Sequence, residues 1–276
     1  MLIRLLAALL VLSAPARAAD IAYPETADAV PGAPGTAWLD LVRQVFPDYG
    51  DAGGAKMMPL RHIGGADYAT EPVTAYGRAS LSVVAIRIDG KPRHALMIDP
   101  EETADSVEPL AVLALFDDAP APKLLDAAQV AFDRLVFFEE PASLALSDGD
   151  DLIITGSGHF NAGQGYGMQA LILPRGDRLE LVDLVWTFDE TGCGYSWTQI
   201  PSFTAGDRGD RRYADIVATI AETVSHDDTQ QCDGLERPAE MQRSITVTYR
   251  WDDAAQHFKA DSDAFDRLAA ENEQRF

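Results

Sequence analysis

The chain has 276 residues, of which 22 are basic and 44 acidic, so its formal net charge at neutral pH is −22. A surface this acidic repels phosphate backbones and anionic lipids, which argues against nucleic acid as a partner and leaves cations and basic proteins electrostatically permitted. The hydrophobic fraction of 47% and the charged fraction of 24% are those of a folded globular protein rather than a disordered one.

The N-terminal residues predict a secretory signal peptide over residues 1–18. Arg4 precedes an apolar core at residues 5–12 that is too short to span a bilayer, and a small-x-small cleavage pattern ends at Ala18. Two basic residues leave with this segment, so the mature charge becomes 20 − 44, or −24. We therefore expect a periplasmic or secreted protein with no membrane span after cleavage. The excess of arginine over lysine and the abundance of alanine are typical of a GC-rich bacterial genome.

Residues 19–35 are rich in proline and glycine and predict an extended N-terminal lead. Residues 36–276 are expected to form a single, mostly β globular domain. It opens with a short helix over residues 37–46, because apolar residues recur there at helical spacing and Pro47 ends the pattern.

The next segments have the period of extended chain. The runs at residues 81–88 and 93–98 flank Asp89-Gly90, which is a strong hairpin signal. The continuous apolar run at residues 109–116 predicts a strand buried on both faces.

Three more strand predictions follow along the chain. Residues 151–155 and 167–173 form two strands around a glycine-rich loop. In residues 178–188 the apolar phase slips at Val182-Asp183, which predicts a β-bulge. Residues 244–251 alternate strictly between apolar and polar, as in a half-buried antiparallel strand.

Two segments fit both helical and extended templates. In residues 124–138 the first half fits a helix and the second half a strand. Residues 213–224 have helical spacing but are rich in β-branched side chains, which favours a strand. A C-terminal helix follows, with Phe265, Leu268 and Ala269 on its inner face.

Strands do not alternate regularly with helices, which argues against a doubly wound parallel sheet. The fold class expected is mainly β: an antiparallel meander, a sandwich, or an irregular propeller or barrel. A short N-terminal helix and a C-terminal helix complete it.

Cys193 and Cys232 are the chain's two cysteines. In an exported protein an even count predicts a disulfide, and a separation of this kind without a C-x-x-C pair is unlike a zinc site.

The best candidate for a ligand-binding segment is residues 156–167, where glycines alternate with polar side chains. Glycine lets the backbone approach a ligand closely, and the polar residues between supply donors, acceptors and one group that titrates near neutrality. The candidate ligand-binding residues are Ser157, His159, Asn161, Gln164 and Tyr166. The alternative is a long hairpin loop whose polar groups satisfy their own backbone.

The sequence carries no G-x-S-x-G elbow and no H-E-x-x-H motif, so we assign no catalytic residue, metal site or cofactor. The leading hypothesis is a protein that binds a small polar ligand, a glycan, a cation or a basic protein partner. The first alternative is a hydrolase or lyase acting on an envelope polymer, with His159 or Tyr166 as acid or base. The second alternative is a purely structural envelope protein.

Overall fold

A computed structural model describes residues 20–50, 55–68, 74–75, 79–100, 110–230, 232 and 236–275. The expected signal peptide lies outside these residues. Among the described residues, no helix is both long enough and apolar enough to cross a membrane.

The regular elements are mostly strands. The helices are α1 (Trp38–Val45) and α2 (Ala264–Glu273), and a 3₁₀ turn covers Ala66–Tyr68. The first strands in chain order are β1 (Ala55–Lys56), β2 (Thr74–Ala75), β3 (Ala79–Ile88), β4 (Lys91–Pro100), β5 (Val112–Asp117), β6 (Leu124–Gln129) and β7 (Leu135–Ala145). They are followed by β8 (Asp151–Asn161), β9 (Gln164–Arg175), β10 (Arg178–Gly192), β11 (Tyr195–Ala205), β12 (Ile216–His226), β13 (Met241–Asp252) and β14 (His257–Ala260).

The strands form two antiparallel meanders. Strands β3 to β6 make a four-stranded sheet and β7 to β14 an eight-stranded sheet, each with its strands in chain order, while β1 pairs with β2. The expected mainly β fold with two flanking helices is confirmed. No pairing joins the outer strands β7 and β14 within the described residues, so the long sheet does not close into a barrel.

The two sheets pack face to face through a shared apolar layer. Its fully buried members include Ile86 and Leu113 from the short sheet and Ile153 and Ile172 from the long sheet. Helix α1 covers the other face of the short sheet, where Leu41 and its neighbours meet strands β3 to β5. The long sheet is curled, since β11 also contacts β7, and α2 packs on β10 and β13. Strand β5 and residues 151–158 of β8 are therefore buried on both faces.

Both ambiguous segments are extended. Residues 124–138 contain β6, a short loop and the start of β7, and residues 213–224 fall mostly in β12. The strand option prevails because each segment has a neighbouring strand on which to pair and an apolar layer to enter. The expected bulge in β10 is confirmed, since its register against β9 shifts between Leu181 and Asp183.

The turns of two hairpins meet at one end of the sandwich. Gly90, in the β3–β4 turn, donates its N–H to the carbonyl of Gly149, in the β7–β8 turn, at 2.9 Å. A Cβ on Gly149 would lie 2.8 Å from the Gly90 nitrogen, so only glycine permits this approach. Nearby, Arg93 forms a bidentate pair with Asp177 at 2.8 and 3.0 Å. These contacts fix the two sheets in one relative position.

The predicted disulfide is confirmed. Cys193, in the β10–β11 turn, is bonded to Cys232, which follows β12 in the chain. It holds the far end of the long sheet at the point where β10 and β11 begin to separate.

Candidate functional site

The hairpin of β8 and β9 is tighter than the sequence predicted. Its turn consists of Ala162 and Gly163, both with positive φ, as in a two-residue hairpin turn. The expectation of a loop over residues 156–167 is therefore wrong, because the glycines lie inside paired strands.

The register of this hairpin places the five predicted ligand residues on one face. His159 is paired with Tyr166 and Asn161 with Gln164, and Ser157 lies two residues before His159. Ser157 is only 2% exposed, and its hydroxyl accepts a hydrogen bond from the Phe132 N–H at 3.2 Å. Asn161 is exposed beside the turn. The sequence therefore located a real polar row, but Ser157 within it is a buried structural group.

His159 and Tyr166 form the core of this row. The Nδ1 of His159 contacts a carboxylate oxygen of Asp133, and its ring stacks on Tyr166 with centroids 4.8 Å apart. The Tyr166 hydroxyl donates to Gln164 at 3.2 Å. Desolvation and the nearby charge of Glu190 raise the pKa of Tyr166. The carboxylate of Asp133 thus orients the imidazole at one end of the hairpin.

A cavity of about 470 Å³ lies on the glycine side of the same strands, and we call it the glycine groove. By register, Gly158, Gly165 and Gly167 share the face opposite to His159 and Tyr166. The cavity takes residues from each strand between β7 and β11. The side chains that line it are Leu135, Phe137, Glu139, Phe160, Gln169, Thr187, Asp189, Gln199, Ile200 and Pro201, together with parts of Ser157, His159 and Tyr166.

These positions require glycine because side chains from neighbouring strands occupy the space that a Cβ would fill. A Cβ at Gly156 would be 2.7 Å from Glu139 Oε1 and 2.5 Å from the Phe137 ring. A Cβ at Gly167 would be 2.4 Å from Thr187 Oγ1. Glycine within a strand marks a close approach of this kind, and here it lets polar groups from β7 and β10 cross the floor of the groove.

The polar side chains of the groove are acidic or neutral. The pKa of Glu139 is raised, because the effect of burial is larger than the opposing effect of the Gln169 side chain. Burial also raises the pKa of Asp189, against the N–H of Gln199 and the charge of Arg275. Within the described part of the chain, none of the lining residues is a lysine or an arginine. Glu139, which is partly buried, therefore carries a desolvation cost that the groove does not itself neutralise, whereas Asp189 is exposed.

Gln169 adds an unsatisfied acceptor to this wall. Its side chain is buried, with 5% exposed, and its Oε1 has no hydrogen-bond partner among the described residues. Buried amide oxygens are nearly always paired, so this oxygen carries an uncompensated desolvation cost within the wall of the cavity.

The rim of the groove is apolar and open to solvent. Leu135 is 64% exposed, Phe160 is 68% exposed, and Phe137 and Ile200 are exposed as well. A large apolar side chain left in water is unremarkable alone, but four around one cavity form a patch of the kind found at binding sites. The groove thus combines a polar floor with an apolar entrance.

Where β10 and β11 diverge, hydrogen bonds from side chains take the place of the backbone hydrogen bonds between the strands. Gln199 accepts from the Phe188 N–H at 2.9 Å and donates to Glu222 at 2.7 Å. It also exchanges two hydrogen bonds with Asn272 of α2, each 2.9 Å long. A second cavity of about 370 Å³ lies between Trp186 and Phe188 on β10 and the C-terminal half of α2.

The buried carboxylate of Glu222 is the centre of this side-chain network. It accepts hydrogen bonds from Trp197 Nε1 and Gln199 Nε2, both at 2.7 Å, and from Arg243. Burial would raise the pKa of Glu222, but these three hydrogen bonds together lower it. Arg275 stacks on Trp197 beside them, with its guanidinium carbon 3.8 Å from the ring centroid. The network holds the two strands apart and so defines one end of the groove.

Sequence reasoning missed the residues on the glycine side. Glu139, Gln169, Asp189 and Gln199 come from four different strands, and nothing in their local sequence sets them apart. The one available signal was the spacing of the glycines, which alternate with the predicted polar row and therefore define the opposite face.

Among the described residues, no three histidine, cysteine, aspartate or glutamate side chains are grouped so that they could hold a metal ion. Comparison with protein-family models, with curated proteins and with solved structures found no match.

Proposed function

We propose that this chain is an exported binding protein that holds a small polar molecule in the glycine groove. The observation that carries the proposal is a single cavity whose lining combines the carboxylates of Glu139 and Asp189 with an exposed apolar rim. A groove of about 470 Å³ is within the range of small-molecule sites, where a few polar groups fix orientation and apolar walls exclude water.

The chemistry of the lining favours donors over acceptors in the ligand. Carboxylates accept hydrogen bonds, and no lysine or arginine of the described lining offers a charge to an anion. Phosphorylated or carboxylated molecules therefore fit this groove poorly.

Export is part of the same proposal. The N-terminal signal pattern directs the chain out of the cytoplasm, and the Cys193–Cys232 disulfide is of the kind that persists in an oxidising compartment. A periplasmic or secreted binding protein satisfies both features.

The proposal is tested by blocking the groove. At Gly165 a Cβ would meet its nearest neighbours at 3.4 Å, so Gly165→Val fills the floor without a severe clash. Wild type, Gly165→Val and the control Thr223→Val on β12 are screened by thermal shift against polar metabolites and oligosaccharides. We expect at least one compound to raise the Tm of wild type and the control but not of Gly165→Val, because a ligand stabilises only the state that binds it. Shifts that survive in Gly165→Val would contradict the groove assignment, and no shift in any protein would favour the structural alternative.

A second candidate function, catalysis on an envelope polymer, is favoured by the pairing of His159 with Asp133. A carboxylate at Nδ1 fixes the tautomer and presents Nε2 as a general base. The double variant His159→Gln, Tyr166→Phe removes the imidazole and the phenol hydroxyl and keeps every glycine of the groove. Turnover of peptidoglycan or exopolysaccharide that disappears in this variant would establish the enzyme; ligand retention without turnover in wild type supports the binding protein.

A further inference from the structure

We propose that the second cavity, between β10 and α2, binds a small uncharged aromatic molecule whose ring packs beside Trp186. The cavity has a volume of about 370 Å³, and its walls are aromatic side chains of β9 and β10 and the C-terminal half of α2. This inference goes beyond the proposed function, because the rings of the second cavity lie on the other face of the sheet and suit a different class of ligand.

The aromatic wall of the second cavity follows from the register of β9 and β10. Phe188 is paired with Tyr166, so these two rings share one face of the sheet, and Trp186 lies on the same face two residues earlier. Phe188 is almost fully buried and supports the wall from behind, with its ring centroid 5.2 Å from that of Tyr166. Trp186 is 39% exposed. Its ring is therefore the part of the wall that a ligand can reach from solvent.

The opposite wall is α2, where a small residue leaves space. Phe265, Leu268 and Asn272 are buried along one face of this helix. Ala269 lies on the same face by its helical spacing and lines the cavity. Protein interiors leave few voids of this size, and a larger apolar side chain at this position would fill it. The cavity therefore depends on the alanine.

Hydrogen bonds hold α2 at a fixed distance from β10. Gln199 and Asn272 exchange two side-chain hydrogen bonds of 2.9 Å each, and Gln199 also accepts the N–H of Phe188. Arg275, just beyond α2, stacks on Phe188 with its guanidinium carbon 4.4 Å from the ring centroid. These contacts keep the helix and the strand apart, so the cavity is preformed, as small-molecule sites usually are.

The polar atoms around the cavity are already hydrogen-bonded, which restricts the chemistry of the ligand. The Asn272 side chain is paired with Gln199, and the Tyr166 hydroxyl donates to Gln164 at 3.2 Å. Within the described residues no lysine or arginine lines the cavity, and its one carboxylate, Glu273, is exposed. A charge between the rings and α2 would lose water without gaining a partner. An uncharged aromatic ring gains apolar burial together with offset or edge contacts to the wall.

The test compares two neutral alcohols that differ in the ring. Benzyl alcohol and cyclohexylmethanol are titrated into the ¹⁵N-labelled full chain, and the indole N–H of Trp186 and the backbone amide of Ala269 report occupancy. We expect benzyl alcohol to shift both signals with a Kd at least about threefold lower than that of cyclohexylmethanol, because aromatic pairs add to the effect of buried area. The amides of Gly158 and Gly167 should not respond, since they belong to the glycine groove.

Variants of the two walls locate the binding. Ala269→Leu fills the cavity, and we expect it to abolish the response of Trp186 to benzyl alcohol. The matched control is Ala270→Leu, which changes an exposed residue of the same helix outside the cavity and should bind as wild type does. Trp186→Leu keeps the wall apolar but removes its ring. In this variant, followed at the Ala269 amide, the Kd of benzyl alcohol should rise to that of cyclohexylmethanol.

Equal affinity of wild type for the two alcohols, no response at Trp186, or unchanged binding in Ala269→Leu would each overturn the inference. A response confined to the glycines of the groove would overturn it as well, because the ligand would then occupy the other site. Urea unfolding checks that Ala269→Leu is folded, and Trp186→Leu decides alone if it is not. The proposed function is tested separately, since Gly165→Val blocks the glycine groove and should leave benzyl alcohol binding intact.

Discussion

Asp189 and Gln199 bridge β10 and β11 just beyond the point where the backbone pairing of these strands ends, at Glu190 and Trp197. The Asp189 carboxylate accepts the Gln199 N–H at 2.7 Å, and one residue earlier the Gln199 side chain accepts the Phe188 N–H. This exchange allows β11 to leave β10 without orphaned backbone donors, and the space it opens is part of the glycine groove.

Gln199→Leu should therefore be strongly destabilising. The substitution removes one hydrogen bond from Glu222, two from Asn272 and one from the Phe188 N–H, which costs about 2–4 kcal/mol because buried polar groups lose these bonds without regaining water. Urea unfolding at pH 7 measures the change in the free energy of unfolding. The matched control is Gln242→Leu, an exposed glutamine on β13, which should change stability by less than about 0.5 kcal/mol. Similar values for the two variants would contradict the structural role of Gln199.

Glu222 should make stability depend on acidic pH. Its pKa is lowered in the folded state, so its contribution is fully present above the unfolded value of 4.5 and is lost as the pH falls through the lower folded value. Glu222→Gln should cost about 2–4 kcal/mol at pH 7, because Arg243 loses its buried partner. The gap between wild type and variant, measured by urea unfolding, should narrow below pH 4.5. A gap that is constant between pH 7 and pH 3 would show that the charge of Glu222 is not the cause.

Glu139→Gln should change the stability in the opposite direction to Glu222→Gln. Burial raises the pKa of Glu139, so the folded state favours the protonated form and is penalised when the group is ionised. We expect the variant to be more stable than wild type at pH 7 and equally stable near pH 4, where wild type is protonated. Thermal unfolding at the two pH values checks this, with Glu236→Gln as the exposed control. Equal stability of the variant and wild type at pH 7 would contradict a desolvation cost at Glu139.

Gly167→Ala tests the packing of the groove floor. Its new Cβ would lie 2.4 Å from Thr187 Oγ1, and the strain should cost about 1–3 kcal/mol. Adding Thr187→Ala removes that oxygen and should restore most of the loss, because the Cβ of Thr187 is 3.8 Å away. A double variant that is no more stable than Gly167→Ala would show that the clash lies elsewhere. Urea unfolding of both variants and of Thr187→Ala completes the cycle.

Removing the disulfide should destabilise the chain without abolishing the fold. The bond closes a loop between Cys193 and Cys232, and in the chain-entropy model such a loop contributes about 4 kcal/mol, less any native strain. The paired variant Cys193→Ser, Cys232→Ser should lose roughly 2–4 kcal/mol in urea unfolding. Titration of native wild type with a thiol reagent should detect almost no free thiol. Two reactive thiols per chain would contradict the disulfide.

The sequence predicted those elements whose signals are local. Alternation at residues 244–251, the Asp-Gly turn at residue 89 and the phase slip at Val182 each report a property of a few consecutive residues, and each is present in the structure. The segment 124–138 was ambiguous because a short apolar run fits either period until a partner strand is known.

The groove could not be predicted in the same way. Glycine is normally depleted in strands, so a run of glycines at residues 156–167 favoured a loop. What those glycines accommodate, namely Glu139 from β7 and Thr187 from β10, is decided by pairing between strands that are distant in sequence. The polar row that the sequence did locate occupies the other side of the same two strands.

The contact between Gly90 and Gly149 has a consequence for how the molecule comes apart. The two turns are hydrogen-bonded to each other. Fraying of either hairpin would therefore break this bond and expose the apolar layer between the sheets. The two meanders are thereby coupled through their turns. Partial opening of one sheet gains little conformational entropy but loses hydrogen bonds and buried apolar contacts of both sheets. Heat or denaturant should therefore melt both sheets in a single concerted transition.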